Sequence, residues 1–220
     1  MAQLFWKLAG RWAYNAARGY IDILNALWWR TDVKGASNIP KSGAFILAPT
    51  HRSNIDGPLA ATFTRRHMRY LAKQELFKFE TPGKLFISMG AISVNRGAPD
   101  RQSLNRCKEE IDAGWPLVLF PEGARRDGPI VNEVLDGAAY LALRCRVPVI
   151  PVAIAGSEQA NPRKTFFFRP AKLCVVIGEP LEFDDLVDGA RIPRNAISAA
   201  KEQLTNKLQE LLDEANARRS

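Results

Sequence analysis

Six short apolar, β-rich runs recur along the chain, at residues 44–48, 68–72, 91–94, 117–121, 149–154 and 173–177. Near-continuous apolar runs of this length suit strands buried on both faces, and several of the gaps between them are long enough for helices. The pattern predicts an α/β fold with a mostly parallel central sheet flanked by helices. Helices are expected over 56–66, 99–113, 137–144 and 195–217. In the last, Ile197, Leu204, Leu208, Leu211 and Leu212 share one face, so it should dock on the domain. With 220 residues, 46% of them hydrophobic, and no low-complexity divider, residues 31–220 read as one domain behind an N-terminal appendage, residues 1–30.

That appendage interleaves Phe5, Trp6, Trp12, Tyr14, Tyr20, Trp28 and Trp29 with basic residues on a helix-compatible pattern. Lys7, Arg11, Arg18 and Asp22 interrupt it. Each such charge at a bilayer centre costs about 2.5–3.5 kcal/mol, so the segment is not expected to span a membrane. It also lacks the long uncharged centre and small-residue cleavage site of a secretory signal. The aromatics are too many and too evenly spread for one packing face, which predicts amphipathic helices lying on a membrane surface. The protein should then be monotopic or peripheral, at the cytoplasmic face.

Charge supports an anionic partner: 31 lysines and arginines oppose 23 acids, for a formal net charge of +8. The cations are scattered, and neither zinc-finger spacing nor an RNA-binding aromatic signature occurs, so an anionic lipid surface or a phosphorylated substrate fits better than nucleic acid. Three isolated cysteines and two histidines offer no metal-ligand cluster, and the cysteines read as reduced thiols. No Walker or dinucleotide glycine pattern occurs, so no cofactor is indicated.

In open α/β sheets, ligands bind beyond the carboxyl ends of the strands. Three chemically loaded stretches fall there: HRSNID (51–56), NRGAPDR (95–101) and PEGARRDG (121–128). A loop running from His51 to Asp56 at the start of a helix can turn the carboxylate back onto one ring nitrogen, leaving the other free as a general base. An aspartate helix cap beside an incidental histidine would give the same spacing. Lys73, Arg96, Arg125 and Arg126 all follow predicted strands and converge on the same sheet edge, which suggests a phosphate held beside a base. Gly97 and Gly123 permit close backbone approach. Glu122 either holds Arg125 or contacts a substrate hydroxyl.

These residues resemble the motifs of the glycerophospholipid acyltransferase family, and the chain looks most like its bacterial lysophosphatidate (1-acylglycerol-3-phosphate) acyltransferases. His51 and Asp56 match the family's His-x4-Asp motif, GAISVNRG carries Arg96 in the second block, Phe120 to Arg125 matches FPEG-x-R, and VPVIPVAI with Pro151 resembles the fourth block. LAKQELF, with Lys73, is similar to the lysine-bearing segment between the first two blocks. The matches run in order from about residue 34 to about 180. The family commonly has Thr or Ser after PEG, where this chain has Ala124, and Arg126 stands where Ser is frequent.

The resemblance implies direct acyl transfer from acyl-coenzyme A or acyl carrier protein to the hydroxyl of a lysophospholipid acceptor, without a metal. His51 and Asp56 would be catalytic, and Lys73, Arg96 and Arg125 would bind the acceptor phosphate. Glu122, Gly123, Arg126 and Pro151 would bind substrate or support the site. Other acceptors, namely another lysophospholipid, glycerol 3-phosphate or a glycolipid, and a non-catalytic anionic-lipid-binding protein are the rival readings.

Overall fold

A computed structural model describes residues 2–74, 80–94, 101–132, 134–163, 165, 167–187 and 191–219. Its centre is a seven-stranded sheet: β1 (Asp32–Lys34), β2 (Ile46–Pro49), β3 (Arg69–Lys73), β4 (Ala91–Val94), β5 (Leu117–Val118), β6 (Val149–Ala155) and β7 (Cys174–Ile177), in the order β1-β7-β6-β2-β5-β3-β4. The strands β4, β3, β5, β2 and β6 are mutually parallel. β7 runs antiparallel to β6 and parallel to β1. All six apolar runs thus form strands of the expected α/β sheet; only the edge strand β1, with the sequence Asp-Val-Lys, lies outside them.

Side-chain alternation divides the core between the two faces of this sheet. Ile46, Ala48, Leu117, Val149, Ala153 and Val176 face α4 (Arg101–Asp112), α5 (Asp136–Cys145) and α7 (Arg194–Arg219). Leu47, Val118, Ile150, Val152, Ile154 and Val175 face Trp29, Leu59, Phe63 and Met68. Leu204, Leu208, Leu211 and Leu212 are buried, so α7 docks as its periodicity predicts, with Ile197 partly buried against the same cluster. Cys107 and Cys174 are buried free thiols, and burial pushes Cys107 up to about 12.

Two helices depart from expectation. α2 covers only Asp56–Ala60, not residues 56–66. Its successor Thr62 turns its hydroxyl back onto the Leu59 carbonyl at 2.8 Å, a local bond that competes with helix continuation. α3 (Glu80–Ser88) forms where no helix was expected.

The N-terminal segment is one continuous helix, α1 (Ala2–Leu24), finishing in a π-helical turn, Asn25–Trp29. Gly10, Tyr14 and Ile21 form its buried inner face, and a side chain at Gly10 would run into Ser88 of α3. Leu8, Trp12, Tyr20, Ile23 and Leu27, spaced by three, four or eight residues, form an exposed apolar stripe on the outer face. Among the described side chains the aromatics of the helix therefore resolve into two faces, one packed on the domain and one open; the side chains of Phe5 and Trp6 lie outside the described part. Among the described residues, no helix is long and apolar enough to cross a membrane.

Candidate active site

The parallel strands share one carboxyl edge, and β2 and β5 are neighbours in the sheet. HRSNID therefore leaves the sheet beside the FPEG loop. Asp56, wholly buried, accepts three hydrogen bonds on Oδ2: from the backbone N–H of Arg52 at 2.7 Å, from the N–H of Ser53 at 2.6 Å, and from His51 Nδ1 at 3.0 Å. A carboxylate oxygen already receiving two N–H groups acts as an acceptor, so His51 Nδ1 carries a proton, and in the neutral imidazole the lone pair is then on Nε2. No described residue hydrogen-bonds Nε2. The imidazole also stacks on Phe120, with ring centroids 4.1 Å apart and planes 26° from parallel.

A second layer fixes the loop itself. Glu122, 1% exposed, accepts from the His51 backbone N–H at 3.0 Å and from Arg52 Nη1 at 2.8 Å through each carboxylate oxygen. Arg52, 3% exposed, donates from Nη2 to the Ile130 carbonyl at 3.2 Å. The Arg126 N–H donates to the His51 carbonyl at 2.8 Å, and the Thr50 hydroxyl accepts from the Ile154 N–H at 3.0 Å. Ser53 Oγ donates to the Asn161 carbonyl at 3.0 Å. Loops after β2, β5 and β6 thus hold His51 from three sides.

Of the two readings of Glu122, the Arg125 pairing is replaced: its cationic partner is Arg52. Arg125 is half-buried; its carbonyl accepts from Arg163 Nη2 at 2.9 Å, and no described carboxylate pairs with its guanidinium. Arg126 is part-buried, and its Nε is buried with no hydrogen-bond partner. Gly123 has φ of +66°, in the left-handed region, and a side chain there would run into Leu135. Pro151 is a sheet residue in register with Ala48, and the Pro151 carbonyl accepts from the Gly178 N–H at 2.9 Å. Lys73 closes β3 on the shared carboxyl edge, but its side chain lies outside the described part, and Arg96 and Gly97 lie outside the described residues.

The sequence reading did not single out Arg52, Phe120 as a ring partner, or the Asn161 carbonyl. For Arg52 the signal is partial: a glutamate in the apolar context LVLFPEG must find a cation if buried, and the two other loaded strand ends offer Arg52, Arg96 and Arg101 without choosing among them. Among the described residues, no group of three or more His, Cys, Asp or Glu side chains could hold a metal ion.

The chain is similar to several known proteins. The chain is 26% identical over 200 residues to a 1-acyl-sn-glycerol-3-phosphate acyltransferase of Bacillus subtilis, covering 90% of this chain and 96% of that protein. A protein of the same description from Helicobacter pylori is 27% identical over 121 residues, 53% of this chain and 50% of its own. The fold is similar to the crystal structure of the 1-acyl-sn-glycerophosphate (LPA) acyltransferase PlsC from Thermotoga maritima, with a TM-score of 0.72 over 92% of this chain and 80% of that one, at 23% identity. The sequence model of the Acyltransferase family matches residues 30–155, more than half of the sequence, and the chain belongs to that family.

Proposed function

We propose that this acyltransferase moves a fatty acyl group from acyl-coenzyme A or acyl carrier protein to the free hydroxyl of lysophosphatidate, giving phosphatidate. The observation that carries the reading is the buried His51–Asp56 pair, with Nδ1 given to a carboxylate locked by two backbone N–H groups. The acceptor hydroxyl attacks the thioester carbonyl carbon while His51 Nε2 takes its proton. The tetrahedral centre then collapses, the C–S bond breaks, and the departing sulfur takes the proton from the imidazolium, which Asp56 stabilises. A positioned base of this kind contributes roughly 10²- to 10⁴-fold. The thioester is already activated, and no serine or cysteine nucleophile is needed.

Arg125, together with Lys73 and Arg96, binds the acceptor phosphate, and the unpartnered Arg126 Nε is a further donor to it. The exposed stripe of α1 lies on the anionic membrane surface from which the acceptor is drawn. Substitution of Trp12 and Leu27 by serine tests that contact. Removal of the helix does not, because Tyr14, Ile21 and Trp29 are part of the core.

The deciding experiment measures free-thiol release from palmitoyl-coenzyme A, and in parallel from acyl carrier protein loaded with palmitate, with and without lysophosphatidate in vesicles. Acceptor-dependent release by the wild type, lost in His51→Ala, supports the reaction and its base together. Acceptor-dependent release with another lysolipid but none with lysophosphatidate would overturn the acceptor. Ala124 has no hydroxyl where the motif of the resembled family commonly carries Thr or Ser, which makes that arm worth running.

A further inference from the structure

A second apolar projection stands clear of the core on the connection from α6 (Ser157–Ala160) to β7. Phe167 is 83% exposed there, and Phe168 is also exposed. The connection is held by its own hydrogen bonds: Asn161 Nδ2 to the Thr165 carbonyl at 3.2 Å, Thr165 Oγ1 to the Pro162 carbonyl at 2.8 Å, and the Arg169 N–H to the Ala160 carbonyl at 2.8 Å. A braced loop that holds a phenylalanine in water leaves its apolar surface unburied unless something covers the ring.

The position of the projection identifies the cover. The Phe168 ring meets the Trp29 ring edge-on at 5.6 Å, and Trp29 Nε1 donates to the Arg169 carbonyl at 3.2 Å. Trp29 is fully buried, whereas its predecessors Leu27 and Trp28 are exposed and end the N-terminal helical segment. The Phe168 ring thus lies against the end of that segment, whose Leu27 and Trp28 are exposed, and Arg30 and Arg169, next in sequence to Trp29 and Phe168, are exposed as well. Exposed aromatic rings with exposed arginines beside them match an interface between acyl chains and anionic headgroups.

We propose that the Phe167–Phe168 tip is a second membrane anchor, inserted in an anionic bilayer together with the outer stripe of α1. It rests on the membrane-surface reading of α1. One amphipathic helix leaves a protein free to roll about the helix axis; a second contact off that axis fixes the roll. The loop is tied to the catalytic loops as well. Arg163 donates to the Arg125 carbonyl and pairs with Asp127 at 3.1 Å, and the Asn161 carbonyl accepts from Ser53, so a seated tip also seats the acceptor side of the site.

The test attaches an environment-sensitive dye to Phe167→Cys in a Cys145→Ser background, since Cys107 and Cys174 are buried, and adds vesicles with about one third phosphatidylglycerol. A matched Glu210→Cys label on α7 is the reference. The expected result is a blue shift at position 167 and none at 210, with Phe167→Ser lowering vesicle partition about tenfold, equivalent to about 1.4 kcal/mol. Wild-type protein that sediments with the vesicles while position 167 shows no shift overturns this inference and leaves α1 as the sole anchor. Wild-type protein that does not sediment overturns the membrane reading along with it. A shift caused by acyl carrier protein and not by vesicles assigns the tip to a protein partner and overturns the proposal.

Discussion

Arg52→Met and Glu122→Gln, alone and together, test whether the buried pair holds the catalytic loop. Both residues are 3% exposed or less, and Arg52 Nη1 lies 2.8 Å from each Glu122 oxygen. Removing one partner strands the other charge in the core, which costs about 3–5 kcal/mol, whereas removing both leaves no buried ion. In a chain of this size each kcal/mol lowers the melting midpoint by roughly 2–4 °C, so either single variant should lose about 6–20 °C. The double variant retains a glutamine oxygen to accept the His51 N–H and loses the Arg52 bond to Ile130, so it should be destabilised by only about 2–3 kcal/mol. Urea unfolding of all four proteins, followed by circular dichroism, gives the coupling energy, expected at 2 kcal/mol or more. Single effects that add to within about 0.5 kcal/mol would refute the reasoning, because independent sites add that closely.

Asp56→Asn should lower kcat by about 10²- to 10⁴-fold while leaving acceptor KM near its wild-type value, since the orienting oxygen acts on the base and not on substrate binding; a large KM change with kcat intact would remove it from the base's support. Arg125→Ala should raise acceptor KM and spare the donor term, and steady-state titration of each substrate separates the two. His67 titrates at about 4 instead of its ordinary 6.5, because burial, then Arg69, Arg11 and Arg18, disfavour the cation. The unfolded chain therefore binds the extra proton first, so unfolding stability falls as pH drops from about 6.5 to about 4 and this contribution levels off below. Urea unfolding across that range should show a shallower pH slope for His67→Gln than for the wild type, and equal slopes would contradict the assignment.

Strands of this fold were legible because burial on both faces leaves an almost purely apolar string, as in residues 44–48 and 149–154. β1 was not, because an edge strand of Asp-Val-Lys carries no such string. α3 was hidden by Thr81-Pro82-Gly83, which reads as a turn yet lies in its first turn, where proline and glycine are tolerated. The His51–Asp56 hydrogen bond follows from spacing within one loop, and the structure brings the two side chains to 3.0 Å. The Arg52–Glu122 pair did not follow, since its partners are 70 residues apart and only the order of strands decides which loops touch. The two faces of α1 were likewise beyond the sequence, because an apolar stripe does not reveal whether it meets the domain or a lipid.

Strand order explains why these motifs work as one site. β2 sits between β5 and β6, so neighbouring parallel strands about 4.8 Å apart deliver His51, Glu122 and Asn161 from loops that leave the same edge. Each neighbour supplies a different constraint. The β5 loop takes the His51 N–H through Glu122 and its C=O through Arg126, which fixes the peptide on both sides of the base. The β6 side takes Ser53 through Asn161 and holds the Arg125 carbonyl through Arg163. β3, beyond β5, ends in Lys73 on the same edge. If His51 is the base, as proposed, its fixed peptide leaves little entropy to lose when substrate arrives, and the groups proposed for the acceptor phosphate leave from β5 and the strands beyond it. In the proposed reaction, His51 and Arg125 therefore stand at the ends of the neighbouring strands β2 and β5, the arrangement needed for an acceptor whose phosphate is bound on the β5 side to present its hydroxyl to the β2 loop.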